Sequence, residues 1–420
     1  MNDNITAFDF LSIGSMSDEN PEFTRIGAPY FTILERMAGT PISEIKKSKN
    51  TAIVFFILTG GTEKKTLSHI NDELFDKNSP ILLLAHPGNN SLPASLEILA
   101  KLQQDGHRGQ IIYLSSPEDT AGLEQLSLFI NLMETNQLLQ DARIGLVGKP
   151  SDWLVASMPD YKTLTTAWGP KVLDIDFDSY FNKVEQVDSS KNLEPISNFI
   201  TQANHIDGPK QEDFKKSVDV YTALQEVVKE NHLNALSVRC FDLVTRHQST
   251  GCYALSQLND DQVVAGCEGD LVSTVGMLWA KYLLKASAWM ANPARIDKKN
   301  NTLVLAHCTI ATGMTTQYEL LTHFETDLGI GIRGLVSPQP CTIFRLGGKK
   351  MEKLWITEGL ITQSGSAENL CRTQLEIKLS HTDVQDQLLE NPLGNHVILV
   401  FGAHEKIMTQ YHQLFIKNHH

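Results

Sequence analysis

Two short acidic clusters carry the residues best suited to chemistry. The first is Arg239-Cys240-Phe241-Asp242-Leu243; the second is Cys267-Glu268-Gly269-Asp270-Leu271. Asp242 follows an apolar run that reads as a buried strand, and the carboxyl end of such a strand is where open α/β sheets place ligands. Glu268 and Asp270 stand where a strand-like Val263–Gly266 meets a long apolar helix. A helix N-terminus favours negative charge, so carboxylates there can stay ionised when partly buried. Three carboxylates meeting in one crevice need a cation between them, and hard oxygen donors suit Mn²⁺ or Mg²⁺ better than zinc. The same residues also admit plainer roles, with Asp270 as an N-cap, Asp242 as a strand-end turn residue and Glu268 as a solvated neighbour.

Imidazoles occur nearby in the pattern. His396 ends Asn391-Pro392-Leu393-Gly394-Asn395-His396, just before the apolar run Val397–Phe401, and could supply a nitrogen ligand or simply close a turn. His307, in Ala306-His307-Cys308-Thr309, ends another strand-like run and could contact a polyol, shuttle a proton or sit satisfied in the core. Thr322-His323-Phe324-Glu325 is a weaker candidate. In Cys371-Arg372-Thr373, Arg372 could hold an anionic or hydroxyl-rich substrate, or form a structural ion pair.

The elements that must position these groups follow an α/β rhythm. Strands are expected at Phe8–Ile13, Ala52–Leu58, Ile81–Ala85, Ile111–Leu114 and Ile144–Val147, with helices such as Ser91–Gln104 and Glu118–Thr135 between them. That alternation predicts a parallel sheet covered on both faces. A second α/β unit starts near Arg143 and runs through Val172–Ile175, a polar stretch from Asp188 to Lys216, a helix Ser217–Asn234 and a strand Ala235–Val238. From Leu271 the texture changes. One helix, Leu271–Ala291, is apolar almost all round, and the runs Thr302–Ala306, Thr342–Leu346, Lys353–Thr357, Arg372–Lys378 and Val397–Phe401 follow with little helix between. The expected fold class is therefore two α/β domains (residues 1–140 and 141–266) followed by a β-rich, barrel-like domain (267–420).

A chain of 420 residues is too long for a single core. Its net charge of −13 opposes nucleic acid and anionic lipid, and no basic patch offsets it. A small-molecule substrate fits better. The six cysteines form no CxxC pair and sit mostly in apolar runs, the pattern of reduced buried thiols in a cytoplasmic protein. Met1-Asn2-Asp3-Asn4 opens no signal peptide, and no apolar run reaches the roughly 18 residues of a membrane span. Thr59-Gly60-Gly61-Thr62 lacks the order of a nucleotide-binding loop.

The ordered set Cys240-Phe241-Asp242-Leu243, Gly251-Cys252-Tyr253-Ala254-Leu255, Cys267 to Leu271, His307-Cys308-Thr309, Thr322 to Glu325, Arg372-Thr373 and Gly394-Asn395-His396 resembles the L-fucose isomerase-like proteins. Leu146-Val147-Gly148-Lys149-Pro150 with Ala167-Trp168-Gly169 also looks like that family's second domain. The resemblance spans about residues 140–420 and implies a manganese site held by Asp242, Asp270 and His396. The family carries a glutamate in the role that falls on Asp242, so either the backbone approaches the metal more closely here or Glu268 contributes instead. The implied reaction is aldose–ketose isomerisation of an open-chain sugar through an enediolate. Asp242, Asp270 and Glu268 would move the protons, and a homo-oligomer would close the site. The alternatives are a sugar-binding protein without turnover, or an isomerase of a sulfonated or phosphorylated sugar whose charge Arg239, Arg333, Arg345 or Arg372 would meet.

Overall fold

The computed structural model describes residues 6–71, 79–187 and 193–416; the N-terminal tetrapeptide and the start of the polar stretch at Asp188 lie outside them. The chain forms two compact units. One holds the chain up to Gln137 with the segment from Gln413, and the other holds Leu138–His412.

In the first unit, strands β1 (Phe8–Ile13), β2 (Gly39–Ile42), β3 (Ile53–Ile57), β4 (Ile81–Ala85) and β5 (Gly109–Tyr113) form a parallel sheet in the order β2-β1-β3-β4-β5. Strands β3 and β4 are apolar and buried along almost their whole length, as central parallel strands covered on both faces must be. The edge strand β2, Gly-Thr-Pro-Ile, is half exposed and carries a proline, so no apolar run announces it.

The second unit begins with β6 (Arg143–Val147), β7 (Lys171–Ile175), β8 (His205–Asp207), β9 (Ala235–Val238) and β10 (Val264–Cys267). Four of these make a parallel sheet in the order β10-β9-β6-β7. The register sets Val147 beside Val238 and Val238 beside Cys267, so the residues that follow emerge side by side at one edge. Gly148, Arg239 and Glu268 are those residues.

The C-terminal region supplies β11 (Trp289–Asp297), β12 (Thr302–His307), β13 (Gln317–Leu321), β14 (Gly331–Leu335), β15 (Gln339–Gly347), β16 (Lys353–Ser364), β17 (Thr373–Leu379) and β18 (Val397–Phe401). Six of them close an antiparallel barrel, β11-β12-β17-β16-β15-β18. Strands β13 and β14 pair outside it, with β8 parallel to β13. Parallel α/β sheets followed by a closed barrel are the architecture the sequence texture predicts.

The apolar helix runs only over Leu271–Leu284, not to Ala291. Lys285 takes a left-handed conformation at its end, and Trp289–Ala291 begin the barrel. Helix and strand are both buried all round here, so hydrophobicity alone does not mark the break between them. The helix packs between β10 and barrel strands β15 and β18. Trp279 is fully buried, with its ring 5.4 Å from Phe344 and 5.1 Å from Trp168. Truncating such a side chain costs about 3–5 kcal/mol, so this helix fixes the barrel against the sheet. The six cysteines are free thiols, five buried and Cys371 partly so. Among the described residues no helix is long and apolar enough to cross a membrane.

Candidate metal centre

Three loops meet at the junction of sheet and barrel. The first leaves β10 through Glu268 and Gly269, both with positive φ, at 63° and 72°. Gly269 is required there, because a Cβ would stand 2.7 Å from the Pro150 backbone. Glu268 has no such licence: a non-glycine residue in the left-handed region stores strain, which is commonest at functional positions. The turn aims its side chain inward, where it is mostly buried.

The other two loops belong to the barrel. His307 ends β12 and His396 precedes β18, and β11 lies between those strands, pairing Asn292 with Ala306 and Ala291 with Val397. The two imidazoles therefore flank β11 at one level, with ring centres 5.7 Å apart. Glu268, His307 and His396 each bring one donor atom within 4.8 Å of the others. His396 Nε2 stands 3.5 Å from Glu268 Oε1, an ion-pair distance, and among the described residues this buried nitrogen has no closer hydrogen bond. A buried polar atom left without a partner costs about 1–3 kcal/mol, which a ligand at this point would recover.

Partners hold each donor in place. Trp153 Nε1 donates to Glu268 Oε2 at 2.5 Å. Burial pushes the Glu268 carboxyl up, but His396, the charge of His307 and the Trp153 N–H outweigh it, leaving the group below its ordinary range. His307 Nδ1 meets Thr309 Oγ1 at 3.0 Å, and burial with the neighbouring His396 pushes its pKa down to about 4. For His396 burial also opposes charge, yet Asp270 and Glu268 overcome it and raise the pKa to about 9.

Asp270 is fully buried and acts from behind. Its Oδ1 accepts from the Ser273 backbone N–H at 2.8 Å, capping the helix Leu271–Leu284. Its Oδ2 receives the Ser273 hydroxyl at 2.8 Å, His396 Nδ1 at 2.9 Å and Arg345 Nη1 at 3.2 Å. Burial would raise this carboxyl, but Arg345 and His396 hold it well below the usual carboxylate range. Arg345 is itself buried and donates through Nη2 to Ser157 Oγ at 2.6 Å. Gly394 leaves room for that guanidinium, since a Cβ there would lie 2.6 Å from Nη2. A carboxylate on one ring nitrogen of a histidine whose other nitrogen faces a donor cluster is the usual support of a metal ligand.

The sequence candidates thus separate. Glu268, His307 and His396 converge, with Asp270 directly behind His396. Asp242 does not join them: it lies in the first turn of helix Cys240–His247, where Arg239 Nε reaches its Oδ1 at 3.0 Å. Arg372 comes close, directly before Thr373, which pairs with His307, and its backbone N–H donates to Cys308 Sγ at 3.4 Å. Trp153, Ser273 and Arg345 in its buried role carried no motif; each is recognisable only through the side chain it holds.

The donor set differs from three carboxylates. One carboxylate and two imidazoles suit a first-row divalent ion, Mn²⁺ among them, and disfavour Mg²⁺, which takes oxygen ligands.

No family model matches the chain. The chain is similar to sulfoquinovose isomerases. That of Alkalicoccus urumqiensis is 22% identical over 336 residues, covering 78% of this chain and 75% of the relative. That of Priestia aryabhattai is 23% identical over 324 residues, covering 74% and 71%. A third, from Clostridium sp. (strain MSTE9), is 29% identical over 138 residues, 31% of each chain.

These relatives are sugar isomerases, and the name of their sugar directs attention to cations near the cluster. Of the four arginines considered for an anion, three are already engaged. Arg239 holds Asp152 and Asp242, Arg333 holds Glu319, and Arg345 holds Asp270. Arg372 gives only its Nε, to the Thr322 carbonyl at 2.7 Å. Among the described residues it has no carboxylate partner.

Proposed function

We propose that this chain is an aldose–ketose isomerase acting on an open-chain sulfonated sugar of the sulfoquinovose type. The convergence of Glu268, His307 and the orphaned Nε2 of His396 on one point carries the reading. The similarity to sulfoquinovose isomerases supports it, and the motif likeness to L-fucose isomerase-like proteins belongs to it as well.

In this reading Glu268, His307 and His396 hold a divalent cation, Mn²⁺ in preference to Mg²⁺. When bound, it would polarise the sugar carbonyl and acidify the adjacent C–H. The protein's own groups then divide the work. Glu268, ionised and fixed at Oε2 by Trp153, gives Oε1 to the cation. His307, neutral and tied to Thr309 through Nδ1, gives its other ring nitrogen to the cation. Asp270 orients His396 and does not touch substrate, because both its oxygens are occupied. Asp242, half-buried and paired with Arg239 through Oδ1, is the proton-transfer candidate outside the ligand set. Arg372 takes the sulfonate, which suits a planar guanidinium lacking a carboxylate of its own.

The loop around Trp153, Val155 and Met158 leaves three large apolar side chains exposed beside this site. We assign that loop to a subunit contact, with the mass in solution by light scattering as its measure.

The test is proton exchange and ketose formation from sulfoquinovose, followed by NMR in deuterated buffer with added Mn²⁺, with glucose as the neutral comparison. Turnover of the sulfonated sugar, lost in Arg372→Ala by a rise in KM of about tenfold or more while the neutral sugar is unaffected, is the expected result. Absence of turnover of either sugar with any divalent cation would overturn the assignment.

A further inference from the structure

A second convergence adjoins the first and uses different chemistry. Cys252, Cys308 and His323 place two sulfurs and an imidazole nitrogen within 4.8 Å of one another, and all three side chains are buried. Cys371 lies beside Cys308 but outside this group of three mutually close donor atoms. The four residues come from four separate segments. Cys252 opens the helix Cys252–Asp260, Cys308 follows β12, His323 follows β13, and Cys371 precedes β17.

Their orientations are already fixed from outside the group. The Arg372 backbone N–H donates to Cys308 Sγ at 3.4 Å, and His323 Nδ1 meets Thr326 Oγ1 at 3.2 Å, leaving its Nε2 toward the sulfurs as the available donor. As a coordination shell the group is apt. A tetrahedral cation with bonds of ~2.3 Å to sulfur and ~2.0 Å to nitrogen sets its ligand atoms ~3.5–3.8 Å apart, inside the 4.8 Å within which Cys252, Cys308 and His323 meet.

We propose that Cys252, Cys308 and His323 bind one thiophilic divalent cation of the zinc class, with Cys371 beside Cys308 closing onto the bound ion as the fourth ligand, at a site distinct from the isomerase centre. Three sulfurs and one nitrogen select a soft ion, whereas the oxygen and two nitrogens of Glu268, His307 and His396 leave open positions for a sugar. The site ties the ends of β12, β13 and β17 together, and its ligand Cys308 directly follows His307. Its role is to position that histidine.

The experiment is a Co²⁺ titration of the reduced, chelator-stripped full-length protein. Thiolate-to-cobalt charge-transfer absorption in the near ultraviolet is expected, saturating at one equivalent and displaced by Zn²⁺. His396→Ala retains that absorption, because the isomerase centre contains no sulfur, so failure there is separable from failure here. Cys308→Ser abolishes it. Should Cys308→Ser not fold, Cys371→Ser, at the only partly exposed ligand, loses one of three thiolate contributions. No charge-transfer band in the parent protein, an undiminished band in either serine variant, or an intact mass two hydrogens light from a disulfide within the group would each overturn the proposal.

Discussion

Replacing Asp270 by asparagine isolates the support of the metal centre from its ligands. The amide oxygen can still accept from the Ser273 N–H, so the helix cap survives. The atom in place of Oδ2 becomes an NH₂ group facing His396 Nδ1 and Arg345 Nη1, which now lie 2.9 Å and 3.2 Å from that oxygen. His396 must then accept at Nδ1, and its ring proton moves to Nε2. A protonated Nε2 has no lone pair for a cation. Removing such an orienting partner costs 10–100-fold in metal affinity, or about 1.4–2.7 kcal/mol.

A second cost falls on the fold. Arg345 is 1% exposed and loses its one carboxylate partner among the described residues, and a buried charge stripped of its partner destabilises by about 3–5 kcal/mol. The two effects are separable. Asp270→Asn should melt lower and bind Mn²⁺ more weakly, whereas the pair Asp270→Asn/Arg345→Met should recover most of the stability and none of the affinity. Calorimetric titration of chelator-stripped protein reads the affinity, and thermal unfolding reads the stability. If Asp270→Asn, or the double variant, binds Mn²⁺ as tightly as the parent, the carboxylate does not set the tautomer of His396 and the argument fails.

Protonation gives a prediction of opposite kind. The folded pKa of His396 is raised from 6.5 to about 9, so in the metal-free protein the ring keeps a proton that a cation must displace. Apparent affinity should climb about tenfold per pH unit from neutrality to near pH 9 and then level off; His307, at about 4, adds no proton to that count. By the same sign, His396 stabilises the metal-free fold fully below about 6.5, and that contribution fades as pH rises through about 9, which a melting series in chelator would register. Glu268→Gln keeps an acceptor for Trp153 but no charge, so Mn²⁺ affinity, and isotope exchange at C2 with it, should fall by about tenfold or more with little change in melting; unaltered affinity would remove Glu268 from the ligand set. Gly269→Ala forces a Cβ against the Pro150 backbone at positive φ and should cost more than about 1 kcal/mol, with weaker metal binding because Glu268 moves.

The elements of the fold were legible wherever burial was uniform and the ends were punctuated. Phe8–Ile13, Ile81–Ala85, Ser91–Gln104, Ala235–Val238 and Val397–Phe401 fall where their apolar runs place them, because glycine, proline or polar residues bound each one. The strand β2 escaped for the opposite reason, as an exposed edge containing proline needs no hydrophobic signature. The passage from helix to barrel at Lys285-Ala286-Ser287 was hidden because no glycine or proline marks it; the turn is made by a lysine in a left-handed conformation.

The site shows the deeper limit. Residue type pointed to carboxylates and a histidine, but spacing along the chain does not reveal who stands in front and who behind. Asp270 and Glu268 are two residues apart, and only the left-handed turn at Glu268 and Gly269 sends one side chain toward the donor cluster and the other beneath the helix against Arg345. His307 and His396 are each unremarkable alone; they become a pair because β11 pairs with both β12 and β18 in a closed barrel. Asp242 looked equivalent to the other acids until the chain beyond β9 turned into a helix, where Arg239 three residues away takes its charge. The chemistry was written in the residue types, while the division of labour among them was set by barrel closure and by one strained turn.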